Sequence, residues 1–116
     1  MEVDGPRVLI VEDEDSIRIP LKDYLTRVGF SVLVASDGVG AIKHLLDSVV
    51  DVVISDYRMD ILGGDYWVRF LQRFCPGQKV LLTSGFLKSE MTLPYEVLYK
   101  PYSFLELETR LRALLS

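Results

Sequence analysis

Short apolar runs alternate with amphipathic segments along the whole chain. Val8–Val11, Val32–Ala35, Val52–Ile54, Val80–Leu82 and Val97–Tyr99 are rich in β-branched residues and too short for helices. Such runs predict strands buried on both faces of a parallel sheet. Between them, apolar residues recur at helical spacing. Ile17, Leu21, Tyr24, Leu25 and Val28 form one stripe, with Asp15 or Ser16 as the expected N-cap. Ile42, Leu45 and Leu46 form a second after Asp37-Gly38, and Trp67, Phe70, Leu71 and Phe74 a third between Gly63-Gly64 and Cys75-Pro76-Gly77. Phe104, Leu107, Leu111 and Leu114 make a C-terminal stripe that Ser103 is placed to cap. Each stripe is read as core packing. Pro20 removes the hydrogen bond to residue 16 and predicts a distorted first turn or a late helix start. The segment 85–94 has room for a turn or two of helix before Pro94, so a shortened fourth helix is expected there.

Strand–helix alternation makes the fold class α/β, with five strands in a doubly wound parallel sheet. In such sheets chemistry gathers beyond the carboxyl ends of the strands. The 116 residues fit a single domain, 1–116. Thirteen Lys and Arg against seventeen Asp and Glu leave a net charge of −4, which argues against a nucleic-acid surface and its clustered positive charge. The single cysteine, Cys75, has no partner within the chain and reads as a small half-buried apolar residue. No run approaches the ~20 apolar residues of a membrane span. The acidic start Met1–Pro6 has neither the basic nor the apolar part of a signal peptide, so a cytoplasmic location is expected.

Residues at the predicted strand ends carry the chemistry. The first run leads into Glu12-Asp13-Glu14-Asp15, the third ends in Ser55-Asp56, the fourth in Thr83-Ser84-Gly85, and the fifth is followed by Lys100-Pro101. An acidic run alone is usually a solvated loop. Asp56 is different, because a carboxylate closing an apolar strand needs compensation. Clustered carboxylates bind either a proton or a cation, and an oxygen-only set with few ligands suits Mg2+. A lysine that only bridges Asp56 leaves Glu12, Asp13 and the hydroxyl without a purpose. The set suits phosphoryl transfer, with Asp56 as nucleophile, Mg2+ and Lys100 neutralising phosphoryl oxygens, and the Ser84 hydroxyl holding one of them. A haloacid-dehalogenase-type phosphatase needs a second aspartate two residues after the nucleophile, where this chain has Arg58. No G-x-G-x-x-G follows the first strand and no Walker lysine is present. The single histidine, His44, falls inside the second helix and reads as solvent-facing.

In this arrangement the chain resembles the receiver domain of two-component response regulators over essentially its whole length. Val8–Val11 with Glu12-Asp13 resembles the family's first strand and acid pair. Asp56-Tyr57-Arg58-Met59, continuing to Gly63-Gly64, resembles its phosphoacceptor loop. Thr83-Ser84-Gly85 and Lys100-Pro101-Tyr102 resemble its hydroxyl and lysine-proline motifs. The resemblance implies the flavodoxin-like strand order 2-1-3-4-5, which the receiver family itself exemplifies. It also implies Asp56 as phosphoacceptor, with Ser84 and Lys100 contacting the phosphoryl group. Mg2+ would be held by Asp13 and Asp56 directly, by Glu12 through water, and by the Arg58 backbone carbonyl.

The donor implied is a phosphohistidine on a sensor histidine kinase or phosphotransfer protein. The protein's own catalysis is then confined to its phosphorylation and dephosphorylation, so it is a switch and not an enzyme in the ordinary sense. The alternative is a degenerate receiver serving as a phosphorylation-independent binding scaffold, against which the intact Asp56, Ser84 and Lys100 argue. Asp60 stands where the family usually has proline, and Val97 where it usually has a switch aromatic. Ser84 and Lys100 are only sixteen residues apart. Tyr99, of the same strand parity as Val97, or the Phe86-Leu87 loop is expected to take the reporting role. A monomer or weak homodimer is expected. No output-domain motif follows Leu115-Ser116, and the sequence leaves open a single-domain regulator with a downstream protein partner or the receiver part of a longer chain.

Overall fold

The structure, a computed structural model, describes residues 5–59, 61–85 and 93–116. Five strands, β1 (Arg7–Val11), β2 (Ser31–Ala35), β3 (Val52–Asp56), β4 (Lys79–Ser84) and β5 (Glu96–Tyr99), form one sheet in the order β2-β1-β3-β4-β5. Every pairing is parallel. Helices α1 (Asp15–Arg27), α2 (Gly38–Asp47), α3 (Gly64–Phe74) and α4 (Phe104–Leu115) make the crossovers and the C-terminal cover. The α/β class and the strand order of the flavodoxin-like fold are therefore as expected. The shortened helix expected between β4 and β5 lies mostly outside the described residues, as do Asp60, Phe86 and Leu87.

Side chains of a strand alternate between its faces, and two core layers result. Val8, Ile10, Val52, Ile54 and Leu81 face α1 and α4, where Leu21, Leu25, Leu107 and Leu111 meet them. Leu9, Val11, Val53, Val80 and Leu82 face the other way, against Ala41 of α2 and Trp67, Val68 and Leu71 of α3. The continuous apolar runs are thus strands read by both layers at once.

Five local expectations are corrected. The N-cap of α1 is Glu14, whose side chain makes no cap bond, and not Asp15 or Ser16. Pro20 lies inside α1 without delaying it, since the Ile17 and Arg18 amides already donate to the Glu14 carbonyl at 3.1 and 2.9 Å. Leu46 is 80% exposed; successive residues turn about 100° around a helix, which carries it off the side that Ala41 and Leu45 bury. Phe74 is also exposed and leans on Phe70 with ring centroids 5.1 Å apart, while Val68, absent from the predicted stripe, is buried. His44 does not simply face solvent either. Its Nε2 lies 2.9 Å from the Val34 carbonyl on edge strand β2, and because a carbonyl only accepts, that nitrogen carries the proton. Cys75 is half-buried and free, as read. The expected Ser103 cap of α4 is present, its Oγ accepting from the Glu106 amide at 3.0 Å. Asp37 caps α2 in the same way.

Candidate functional site

Parallel register brings four strand ends to one rim. Val11 pairs with Ser55, Asp56 with Thr83, and Ser84 with Tyr99. Residues following β1 and β5 therefore meet the last residues of β3 and β4. Backbone bonds fix the junction, from the Glu12 amide to the Ala35 carbonyl at 3.0 Å, the Tyr57 amide to the Thr83 carbonyl at 2.8 Å, and the Lys100 amide to the Ser84 carbonyl at 2.7 Å. The Lys100–Pro101 peptide just beyond β5 is cis.

Glu12, Asp13 and Asp56 each place a carboxylate oxygen within 4.8 Å of the others. Glu12 and Asp56 are only 3% and 6% exposed. Lys100 Nζ lies 3.3 Å from Asp56 Oδ2, 3.5 Å from Glu12 Oε1 and 3.9 Å from Glu14 Oε1. The backbone amides of Arg58 and Glu14 donate to the carboxylates of Asp56 and Glu12 respectively. Ser84, at the end of β4, is buried.

Burial and the charge of Asp56 push Glu12 up to about 7, against the opposing pull of the Glu14 amide and Lys100. Burial also raises Asp56, although Lys100 and the Arg58 amide oppose it. Burial lowers Lys100, but the charges of Asp56 and Glu12 outweigh that and leave its pKa raised. Tyr102, beside this group, is pushed up to about 12 by burial and by the charges of Glu12 and Asp56. Three carboxylates against one ammonium leave uncompensated negative charge in a poorly hydrated place, so the site takes up protons or a cation. Its donors are all oxygen and few, which fits Mg2+ and its retained waters.

The structure thus gathers Glu12, Asp13, Asp56 and Lys100 into one cluster. Arg58 joins them through its amide, and Ser84 sits on the adjoining strand end. Several contributors were not singled out from the sequence. Glu14 pairs with Lys100, and the guanidinium of Arg18 donates to the Glu12 carbonyl at 2.9 Å. Trp67, read only as core, donates from Nε1 to Ser55 Oγ at 2.9 Å, and that hydroxyl donates to the Asp56 carbonyl at 3.1 Å. A tryptophan on a buried stripe needs an acceptor for its N–H, and the serine inside an otherwise apolar β3 was the available signal.

The pattern of the response regulator receiver domain matches residues 8–112. The chain is 32% identical over 116 residues to sensor kinase CckA of Brucella abortus, an alignment covering 93% of this chain and 12% of that protein. It is 35% identical over 114 residues to a probable transcriptional regulator, ycf27, of Guillardia theta, covering 94% of this chain and 45% of the other. It therefore spans less than half the length of either relative. Among solved structures, the response regulator TrrA of Thermotoga maritima in complex with Mg2+ and BeF superposes with a TM-score of 0.84 at 27% identity. That match covers 96% of this chain and all of the other. No helix among the described residues is long and apolar enough to cross a membrane. Sheet order, rim chemistry and sequence pattern agree, and the chain belongs to the response regulator receiver domain family of two-component systems.

Proposed function

We propose that Asp56 accepts a phosphoryl group in a Mg2+-dependent reaction, and that the protein serves as a cytoplasmic signalling switch in a two-component phosphorelay. One observation carries this reading. The Asp56 carboxylate is almost wholly buried at a strand end, yet has Lys100 Nζ at 3.3 Å and carboxylate oxygens of Glu12 and Asp13 within 4.8 Å. Glu12, Asp13, Asp56 and the backbone carbonyl of Arg58 would hold the cation. When bound, Mg2+ supplies positive charge that keeps the acids ionised and offsets charge on the phosphoryl oxygens.

An Asp56 oxygen attacks the phosphorus of a phosphohistidine on a sensor histidine kinase or phosphotransfer protein. The O–P bond forms as the P–N bond breaks, and the electron pair returns to the imidazole nitrogen. Lys100, tethered to Asp56, neutralises a phosphoryl oxygen as charge builds there, and the Ser84 hydroxyl donates to another. The amide of Arg58 keeps Asp56 aimed. Catalysis by the chain goes no further than its own phosphorylation and the hydrolysis that reverses it.

Val97, the short β-branched residue in β5, is half-buried against the α2–α3 layer and nearly fixed in χ1. Tyr99 points the same way but is 40% exposed, so it has room to change rotamer when the site is loaded. Tyr99 therefore reports phosphorylation to a downstream protein or an attached output domain, and the chain itself is a monomer or weak homodimer.

Intact mass after incubation with acetyl phosphate and Mg2+ tests the core of this reading. One phosphoryl group should add to the wild type and none to Asp56→Asn. An unchanged wild-type mass, or equal labelling of the variant, would overturn it in favour of a phosphorylation-independent scaffold.

A further inference from the structure

The residue after Asp56 is tied down more thoroughly than a loop residue needs to be. The Tyr57 amide donates to the Thr83 carbonyl at 2.8 Å, and the Tyr57 carbonyl accepts from the Gly64 amide at 2.6 Å. The Tyr57 hydroxyl donates to Asp65 Oδ1 at 2.6 Å. Asp65 stands in the first turn of α3, whose N-cap, Gly63, has no side chain to offer.

The peptide unit joining Tyr57 to Arg58 is a rigid plane. Its carbonyl is gripped by the Gly64 amide, and its N–H, that of Arg58, donates to the Asp56 carboxylate. Whatever sets the distance between Tyr57 and the start of α3 therefore sets the angle at which that N–H meets Asp56. Two glycines allow the close approach. Gly64 has φ of +59°, a conformation L side chains rarely adopt, and a Cβ on Gly63 would fall 2.7 Å from the Met59 backbone. Backbone this permissive does not hold a position by itself. The only side-chain bond between Tyr57 and α3 that the described residues show is the one to Asp65.

We infer that the Tyr57 hydroxyl and the Asp65 carboxylate form a latch that positions the Tyr57–Arg58 peptide, and through it the Asp56 carboxylate, toward the cation and the phosphoryl group. Tyr57 and Asp65 touch neither reactant, so both are positioning residues. The inference rests on the reading above, in which Asp56 and Arg58 hold Mg2+.

Three single variants and one double variant separate the latch from a general contribution to helix α3. The readouts are hydrogen exchange of the Arg58 amide in metal-free protein and the Mg2+ dissociation constant from a titration followed by amide chemical shifts. Tyr57→Phe keeps the ring and removes only the hydroxyl. It should weaken Mg2+ binding by about 3- to 10-fold, at or below the lower end for outer-shell partners, and speed Arg58 exchange. Asp65→Ala should do the same, whereas Asp65→Asn, which keeps an acceptor, should leave Arg58 exchange near the wild-type rate. On the Asp65→Ala background, Tyr57→Phe should change nothing further. Wild-type exchange and affinity in Tyr57→Phe would overturn the latch, as would an equal Tyr57→Phe effect with and without Asp65. A wild type that ignores Mg2+ overturns the metal reading instead, and metal-free Arg58 exchange then decides the latch alone.

Discussion

At the amino end of the sheet, Asp51 and Gln78 satisfy backbone groups, and the Glu96–Arg110 ion pair stays partly open to water. Asp51 Oδ2 accepts from the Arg7 amide at 2.7 Å, and Gln78 Nε2 donates to the Val50 carbonyl at 3.1 Å. Asp51 and Lys79 are exposed. At the carboxyl end, Glu12 and Asp56 are buried side by side and share one lysine. The same strands, a few residues apart, thus end in opposite ways. A charge left in water costs the fold little, while a buried cluster whose like charges outnumber its counter-charge strains the native state. Among the described residues, the uncompensated charge lies at the carboxyl end, and uptake of a proton or a cation relieves it.

The contrast breaks most visibly at Lys100. Lys100→Ala leaves Glu12 and Asp56 buried without their shared ammonium, which should destabilise the metal-free protein by about 2–3 kcal/mol at pH 8. Chemical denaturation at pH 8 and pH 5 checks this. The loss should shrink at pH 5, where Glu12 takes a proton, and an equal loss at both pH values would count against the buried-pair account.

The next effect is the pH dependence itself. Glu12 titrates near 7 in the folded chain, above its ordinary value of 4.5. The native state therefore binds a proton that the unfolded state has released, and stability falls as pH rises through that window. The fall should be about 2 kcal/mol, discounted from what the full shift implies. Melting temperature from pH 5 to 8 without metal should show it, and Glu12→Gln should flatten the curve. Mg2+ should restore much of the lost stability at pH 8 in the wild type but not in Asp13→Ala.

The smallest effect belongs to the amino end. Asp51→Ala removes one exposed hydrogen bond to the Arg7 amide and should cost about 1 kcal/mol or less. That cost should be the same at pH 6 and pH 8. A pH-dependent loss there would erase the distinction between the two ends.

Much of this was legible along the chain. Five apolar runs became five strands, and Asp56, Ser84 and Lys100 were found at strand ends because charge or hydroxyl beside a β-branched run is conspicuous. The helix stripes were less reliable. Leu46 and Phe74 were assigned to the core on spacing alone, yet α2 and α3 turn them outward. Spacing defines an apolar side of a helix but not how far the sheet beneath it extends. Tyr57 and Asp65 gave no periodic signal, since their bond depends on a loop bending through Gly63 and Gly64.

What the sequence determined by itself was the alternation of elements, the composition of the rim and, through family resemblance, the strand order. These are local properties, written in runs, spacings and neighbouring residues. Only the tertiary structure decided that Lys100 stands between acids 44 and 88 residues away, that Trp67 reaches Ser55, and that Tyr57 is pinned to α3. Those contacts depend on the packing of helices on a twisted sheet. There a displacement of an ångström or two makes or breaks a hydrogen bond, and no local pattern encodes a distance that small.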